Sequence, residues 1–250
     1  KIGPGPPYYF MQIHILFVPL QVSKMKEEEV MKESEMVFGI RAVIEAIQAE
    51  KEIDKVLVRR DLQGELAKEL LELARERMIQ VQRVPSERLD RYTRKNHQGV
   101  IAFMSAVVYQ HLEDILPSIY EEGRDPFIVL LDGVTDVRNF GAIARTCECA
   151  GVDAIVIPAK GSATVNADAI KTSAGALHVI PVCKEKSINS AIRFLQQSGV
   201  RVYAASEKSA ENYTDVSYAG PTAIVMGAED TGVSYENLRI CDAMVKIPQF

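Results

Sequence analysis

Beyond residue 126 the chain alternates short apolar runs with helical stretches, and this alternation constrains the fold more than any other feature of the sequence. The apolar runs, in chain order, are FIVLL, AIVIP, HVIPV, VYAAS, AIVMG and MVKIP. Uninterrupted apolar strands that are separated by helices are typical of a parallel sheet with helices on both faces. The sequence therefore predicts an α/β domain with a parallel sheet over residues 126–250.

A smaller α/β domain is predicted before it, over residues 36–105. It begins with apolar residues at helical spacing, namely Ile40, Val43, Ile44 and Ile47. The patterns KVLVRR, IQVQRV and GVIAFMS indicate strands, and GELAKELLELARERM indicates an amphipathic helix. Residues 106–125 contain an amphipathic piece that ends in turn-forming residues, and they are predicted to be the linker.

The start of the chain and its cysteines bear on its compartment. Residues 1–35 are predicted to be an extension that is either disordered or added to the natural chain, because there is no initiator Met and the apolar part is interrupted. That part is too short for a membrane span of about 20 apolar residues.

No C-x-x-C pair occurs among the cysteines, which favours reduced, buried thiols, a cytoplasmic location and no metal site. They are Cys147, Cys149, Cys183 and Cys241.

One segment of the smaller domain is basic, although the whole chain has a formal net charge of −5. An RNA partner would therefore meet a local patch rather than a basic protein. The segment RVPSERLDRYTRKNHQG contains the candidate RNA-binding residues Arg88, Arg91, Arg94 and Lys95. Arginine and lysine can hold phosphates while the interleaved tyrosine and asparagine reach bases or riboses. The alternative is an ordinary solvated face, and His97 is predicted to be a structural turn residue.

Three loops follow strands of the predicted parallel sheet and would share one edge of it. They are DGVTDVRNFGAIART, GAEDTGVS and IPQF. None is a G-x-G-x-x-G or a phosphate-binding P-loop. The second loop sets an acid between glycines, which suits ribose hydroxyls or a cationic ligand better than phosphate; a simple tight turn is the alternative.

These stretches, together with KTSAGA at residues 171–176, resemble in their order and spacing the SpoU or TrmH family of SPOUT RNA 2′-O-ribose methyltransferases. FGIRAVIEAI and HQGVIAF resemble that family's N-terminal RNA-binding domain, and the combination is most similar to the bacterial 23S ribosomal RNA guanosine 2′-O-methyltransferases. The resemblance implies a trefoil-knotted fold, a homodimer, S-adenosylmethionine as cofactor, an RNA substrate, and neither metal nor membrane.

The resemblance also implies roles for individual residues. Asn139, Arg145 and Glu229 would be catalytic. The cofactor would be bound by Met226, Gly227, Ala228, Gly232, Ile247 and Pro248. Further RNA contacts would come from Arg138, where relatives often have a Pro-His pair, and from Lys171. The family's third motif continues beyond the Ile-Pro pair, so we expect residues to follow Phe250, and a chain ending there to bind cofactor poorly.

Arg145 admits more than one interpretation. The family is usually described with this arginine activating the 2′-hydroxyl, but a guanidinium stays protonated at neutral pH and is a poor base. It could instead hold a phosphate and stabilise a developing alkoxide. Without the motif, a surface arginine paired with Glu148 would be the simpler interpretation. Lys171 and Ser173 are predicted to be helix-packing or RNA-edge residues rather than catalysts.

Three rival functions follow from the same residues. A transfer RNA could be the target of the same chemistry. A non-catalytic RNA-binding module would belong to another class. A dinucleotide-dependent oxidoreductase is disfavoured because no G-x-G-x-x-G is present.

Overall fold

The computed structural model describes residues 36–248 and divides them into two compact units. One unit contains residues 36–108 with 164–167, and the other contains residues 109–163 with 168–248. The predicted extension, residues 1–35, lies outside the described residues. None of the helices in residues 36–248 has the length and hydropathy that crossing a membrane requires.

The first unit is a four-stranded sheet with the order β1-β4-β2-β3. Its strands are Met36–Phe38 (β1), Ile53–Arg59 (β2), Gln80–Val84 (β3) and Val100–Met104 (β4), and its helices are Ile40–Gln48 (α1), Glu65–Glu76 (α2) and Ser86–Asp90 (α3). β2 and β3 are parallel, and the other two pairs are antiparallel. The predicted helical spacing is confirmed, because Val43, Ile44 and Ile47 are buried in one core cluster with β2 and β4.

The second unit is a six-stranded sheet with the order β10-β8-β9-β5-β6-β7, in which every pair is parallel. Its strands are Phe127–Asp132 (β5), Ala154–Pro158 (β6), Val182–Glu185 (β7), Arg201–Ala205 (β8), Thr222–Gly227 (β9) and Ala243–Val245 (β10). Its helices are Leu112–Glu121 (α4), Val137–Cys149 (α5), Ala167–Thr172 (α6), Ile188–Gln197 (α7) and Tyr235–Leu238 (α8), with a 3₁₀ turn at Ala176–His178. The predicted α/β fold with a parallel sheet is confirmed, and the trefoil knot stays a prediction.

One predicted strand is wrong. The run HVIPV was expected to be a strand, but β7 begins only at its last residue, Val182, and continues through the more polar CKE. Gly175, with φ 88°, starts a 3₁₀ turn, and the amides of His178, Val179 and Ile180 bond back to carbonyls of residues 175 and 176. These amides are therefore not available to a sheet.

The segment predicted as a linker contains α4, which is part of a core. Its apolar residues Leu112, Ile115, Leu116 and Ile119 are buried together with residues of β5, β6 and α7. The first amide of the helix donates to Glu185 Oε1 at 2.9 Å. Burial of this stripe favours packing of the helix on the sheet over a solvated connection.

Candidate active site

The carboxyl ends of four neighbouring strands form the edge of the sheet at which the candidate residues lie. Asp132, the last residue of β5, is in register with Gly227, the last residue of β9. On the other side of β9, Ala204 of β8 is in register with Val225. The amide of Ser206 then donates to the carbonyl of Val245 at 2.9 Å, which ties the end of β8 to the end of β10. The loops after β5, β8, β9 and β10 therefore leave the sheet side by side.

Asp132 connects two of these loops. Its Oδ2 accepts a hydrogen bond from the amide of Ser234 at 2.8 Å and another from Asn237 Nδ2 at 2.9 Å. Asn237 is buried, so its side-chain amide is satisfied inside the protein. The sequence analysis missed both Asp132 and Asn237. An acid at the end of an otherwise apolar strand was the only signal of this contact.

The loop after β9 folds back on itself at its glycines. A Cβ on Gly227 would overlap the backbone of Gly232 and the amide of Val233. Gly232 has φ 66°, and its amide donates to the carbonyl of Ala228 at 2.8 Å. Only glycine permits so close an approach and this positive φ. The loop thus exposes Glu229 and Asp230 at the edge of the sheet, with Ala228 partly buried below them.

Helix α5 begins at the same edge and brings two predicted residues together. The carboxylate of Asp136 caps the helix by accepting from the amide of Asn139 at 2.8 Å. The side chain of Asn139 reaches the loop after β9, where its Nδ2 donates to Glu229 Oε2 at 3.5 Å. This contact is long, and it joins residues that are 90 positions apart in the chain.

Gly141 explains how α5 is placed. A Cβ at this position would stand 2.8 Å from the carbonyl oxygen of Ala169, 2.8 Å from Thr172 Cβ and 3.1 Å from the amide nitrogen of Ser173. The backbone of α5 therefore crosses the KTSAGA segment at a distance that no larger residue allows. Ser173 is fully buried there, and its Oγ donates to the carbonyl of Ile170 at 2.8 Å, which confirms its prediction as a packing residue.

Arg145 lies farther along α5 and is exposed. Within residues 36–248 it makes no hydrogen bond or ion pair, so the pairing with Glu148 that the simpler interpretation required is not formed there. Arg138 is exposed as well and precedes Arg145 by seven residues, which is two helical turns or about 10 Å along one face. Lys171 is exposed on α6, beside the Gly141 crossing.

The remaining cofactor candidates border the same edge. Met226 is the penultimate residue of β9 and is partly buried, while Ile247 and Pro248 follow β10. Lys246, just before them, is held by backbone hydrogen bonds to Glu211 and Tyr213.

The basic segment, which we define as Arg88, Arg91, Arg94 and Lys95, lies in the first unit. All four side chains are exposed. Next to them is a hollow of about 620 Å³, lined by residues 87 and 90–94. Tyr92, one of the lining residues, packs edge-on against Phe103 with the ring centroids 4.9 Å apart.

His97 stabilises the turn after the basic segment. The amide of Gly99 donates to its Nδ1 at 3.0 Å, and its Nε2 lies 3.0 Å from Asp90 Oδ1. An acceptor role for Nδ1 assigns the proton to Nε2, which donates to Asp90. The residue is only 9% exposed, and its prediction as a structural residue is confirmed.

The cysteines are free thiols, as predicted, but they are not all buried. Cys147 and Cys183 are buried, whereas Cys149 is exposed because it falls on the outer face of α5. Burial raises the pKa of Cys147, and it raises the pKa of Cys183 to about 12. Within residues 36–248 no group of histidine, cysteine or acidic side chains has the arrangement of a metal site.

At this edge of the parallel sheet, the glycine-containing loop after β9 lies beside helix α5, which carries Arg145. Comparison with known proteins identifies the family to which such a protein belongs. Residues 126–250 match the SpoU rRNA Methylase family, and residues 36–110 match the family described as RNA 2′-O ribose methyltransferase substrate binding. The chain belongs to the SpoU or TrmH methyltransferase family, as the resemblance indicated.

Its relatives cover nearly the same length. The chain is 32% identical over 213 residues to a TrmH family tRNA/rRNA methyltransferase of Staphylococcus haemolyticus, covering 85% of this chain and 86% of that protein. It is 29% identical over 217 residues to the TrmH family tRNA/rRNA methyltransferase YacO of Bacillus subtilis, with 87% of each covered.

Solved structures have the same fold. The AdoMet-bound rRNA methyltransferase of Sinorhizobium meliloti aligns with a TM-score of 0.52 and 26% identity, covering 86% of this chain and 78% of that one. The SpoU methyltransferase AviRb of Streptomyces viridochromogenes, solved with AdoMet, aligns with a TM-score of 0.52 at 19% identity, covering 98% and 89% of the two chains. At that identity the second likeness concerns the fold alone.

Proposed function

We propose that this protein transfers a methyl group from S-adenosylmethionine to a ribose 2′-hydroxyl of RNA, and that its target is a guanosine of 23S ribosomal RNA. The observation that carries the proposal is the edge where Asn139 meets Glu229, with Arg145 exposed and unpaired among residues 36–248 on the same helix. Family membership supports the chemistry, and the combination of two family matches supports an RNA substrate.

The residues at the edge fit this cofactor. S-adenosylmethionine supplies an electrophilic methyl group on a cationic sulfonium. The loop after β9 exposes Glu229 and Asp230 next to backbone that only Gly227 and Gly232 allow to fold so tightly. Acidic side chains and close backbone suit a cation with ribose hydroxyls, and they would repel a phosphate-rich cofactor. We assign cofactor binding to this loop with Met226, Ala228, Ile247 and Pro248.

Arg145 acts, in this proposal, as an electrostatic group rather than as a base. Its guanidinium remains protonated at neutral pH and presents paired donors to a phosphate or to the oxygen that loses its proton. Because no neighbour among residues 36–248 neutralises Arg145, the whole charge is available to the RNA. Asn139 and Glu229 position the nucleotide and the loop through their mutual contact.

Binding of RNA is assigned to two groups of cations. Arg138, Arg145 and Lys171 are exposed around the Gly141 crossing, and the two arginines on one face of α5 are placed to contact phosphates of one RNA strand. In the other unit, the basic segment is exposed beside a hollow with a tyrosine in its wall. Such a hollow suits an unpaired nucleotide, which proteins hold by stacking and by phosphate contacts.

The identity of the RNA that is methylated is the more specific part of the proposal. The relatives' names include both tRNA and rRNA, and that of the Sinorhizobium structure includes rRNA alone. A transfer RNA target of the same chemistry is therefore the second candidate. We further propose a homodimer and a cytoplasmic location, which light scattering of the purified protein and cell fractionation would test.

Methyl incorporation tests the proposal directly. The product of the complete gene is incubated with labelled S-adenosylmethionine and with ribosomal or transfer RNA that lacks the modification, beside its Arg145→Ala variant. We expect label in 23S ribosomal RNA, recovered as 2′-O-methylguanosine after digestion, and none with the variant. Label in transfer RNA alone would mean that the substrate is transfer RNA rather than 23S ribosomal RNA. A folded protein that labels neither RNA would refute the proposed activity and favour a binding module.

A further inference from the structure

We propose that Glu207, in the loop after β8, binds the positive charge of S-adenosylmethionine and so helps to select the charged methyl donor. This inference rests on the proposed function, and it adds a cofactor-binding residue from a loop that no motif of the sequence pointed to. Three observations support it: the position of the loop after β8, the direction of the Glu207 side chain, and the negative charge of Glu207, which no ion pair among residues 36–248 compensates.

The loop after β8 is held at the same edge as the cofactor residues. The amide of Ser206 donates to the carbonyl of Val245, and the amide of Lys208 donates to Ser206 Oγ at 3.3 Å. Since Ala204 is in register with Val225, this turn leaves the sheet beside the end of β9. Glu207, at the middle of the turn, therefore lies between the ends of β10 and β9.

The side chain of Glu207 points toward the loop after β9. Its Oε2 lies 3.8 Å from the place where a Cβ on Gly232 would stand. Gly232 is partly buried and has no side chain, so the carboxylate directly faces the backbone of the proposed cofactor loop. A ligand that contacts this backbone comes within reach of the carboxylate.

The charge of Glu207 is available to such a ligand. The side chain is exposed, and within residues 36–248 it makes no hydrogen bond or ion pair. Glu229, on the facing loop, is engaged by Asn139. Glu207 is thus an uncompensated anion beside the loop, and a ligand with ammonium and sulfonium groups would gain its attraction as water is excluded.

This arrangement predicts that Glu207 affects the binding of the cofactor and the rate of methyl transfer differently. The sulfonium charge disappears when the methyl group leaves, so an anion near it favours the donor over the demethylated product. The same attraction is weaker in the transition state, where that charge is already partly lost. Loss of the carboxylate should therefore raise the KM for the cofactor without lowering kcat, the pattern of a residue that binds the ground state.

Calorimetric titration of a Glu207→Gln variant tests the inference. The probes are S-adenosylmethionine, S-adenosylhomocysteine, which keeps only the ammonium, and methylthioadenosine, which carries neither cation. We expect the variant to bind S-adenosylmethionine about fivefold more weakly, the upper end for an exposed ion pair, and methylthioadenosine equally well. A Glu211→Gln variant, an exposed acid of the same loop, is the matched control and should behave as the parent protein.

The outcomes separate the two proposals. Weaker binding of S-adenosylmethionine alone would assign Glu207 to the sulfonium, and equal weakening of S-adenosylhomocysteine would assign it to the ammonium. Unchanged affinity for all three, or an equal loss for methylthioadenosine, would overturn the role of Glu207 while leaving the proposed activity intact. Failure of the product of the complete gene to bind S-adenosylmethionine would instead refute the proposed function itself.

Discussion

Replacement of Gly141 by alanine would test whether the close crossing of α5 positions the catalytic residues. The added methyl group would meet the carbonyl oxygen of Ala169 at 2.8 Å and two atoms of the KTSAGA segment at 2.8 and 3.1 Å, where ordinary contact begins near 3.4 Å. Two of these atoms belong to backbone and cannot rotate away. Helix α5 must therefore move by roughly 0.6 Å, the shortfall from ordinary contact, carrying Asn139 and Arg145 with it.

The expected cost in stability follows from two opposing terms. Overpacking of this kind costs about 1–3 kcal/mol, whereas alanine instead of glycine inside a helix contributes about 1 kcal/mol of stability. Because backbone atoms are involved, we expect the upper part of the first range and a net loss of about 1–2 kcal/mol. For a chain of this size the midpoint of thermal unfolding should fall by roughly 2–8 °C.

The loss of activity should exceed what this destabilisation explains. A shift approaching 1 Å at the reacting groups can cost about a hundredfold in rate, so methyl transfer well below the unfolding midpoint should fall at least tenfold. An Ala142→Gly variant is the control, since it loses about 1 kcal/mol through helix propensity without moving the helix. Thermal unfolding and methyl incorporation are measured on both variants.

Two results would refute this reasoning. An unchanged or raised unfolding midpoint for Gly141→Ala would mean that the helix propensity dominates and that the crossing can relax freely. Equal activity of Gly141→Ala and Ala142→Gly would mean that the position of α5 does not control Asn139 and Arg145.

Three further predictions concern charge. Arg145→Lys should lower methyl transfer at least a hundredfold with little change in stability, since a lysine lacks the paired donors; near-normal kinetics would contradict that role. Replacing the three arginines of the basic segment by glutamine should weaken RNA binding and reduce the salt slope by about 2, as measured by filter binding; an unchanged slope would remove this segment from the interface. Burial raises the pKa of Cys183 and Cys241 to about 12, while unfolded thiols ionise near 8.5, so these groups favour the native state below about pH 8.5 and that stability is lost between there and pH 12. Urea denaturation should show that the free energy of unfolding declines over this pH range. The decline should be smaller in a variant in which both cysteines are replaced by alanine.

Much of the fold could be predicted because strand and helix patterns are local. Five of the six apolar runs after residue 126 share two or more residues with strands of the parallel sheet, as expected. The exception, HVIPV, failed because a glycine with positive φ at residue 175 turns the following amides back on their own segment. Apolar composition alone does not distinguish a strand from a buried turn of this kind.

The candidate site was predictable only in part. The motifs identified Asn139 and Glu229 separately, but not the contact between them, because 90 positions separate the two residues in the chain. Asp132 is satisfied by residues more than a hundred positions away, and Glu207 approaches Gly232 only because β8 and β9 are neighbours in the sheet. A pattern in one segment carries no information about which loop will face it.

The sequence by itself determined the α/β class, the family and the loops in which the chemistry would lie, because apolar periodicity and short motifs are written in consecutive residues. Only the tertiary structure decided that Gly141 is a point of helix crossing, that Arg145 has no partner among residues 36–248, and that Glu207 faces the loop after β9. These properties depend on strand order and on contacts across many residues, and packing in three dimensions is what establishes them.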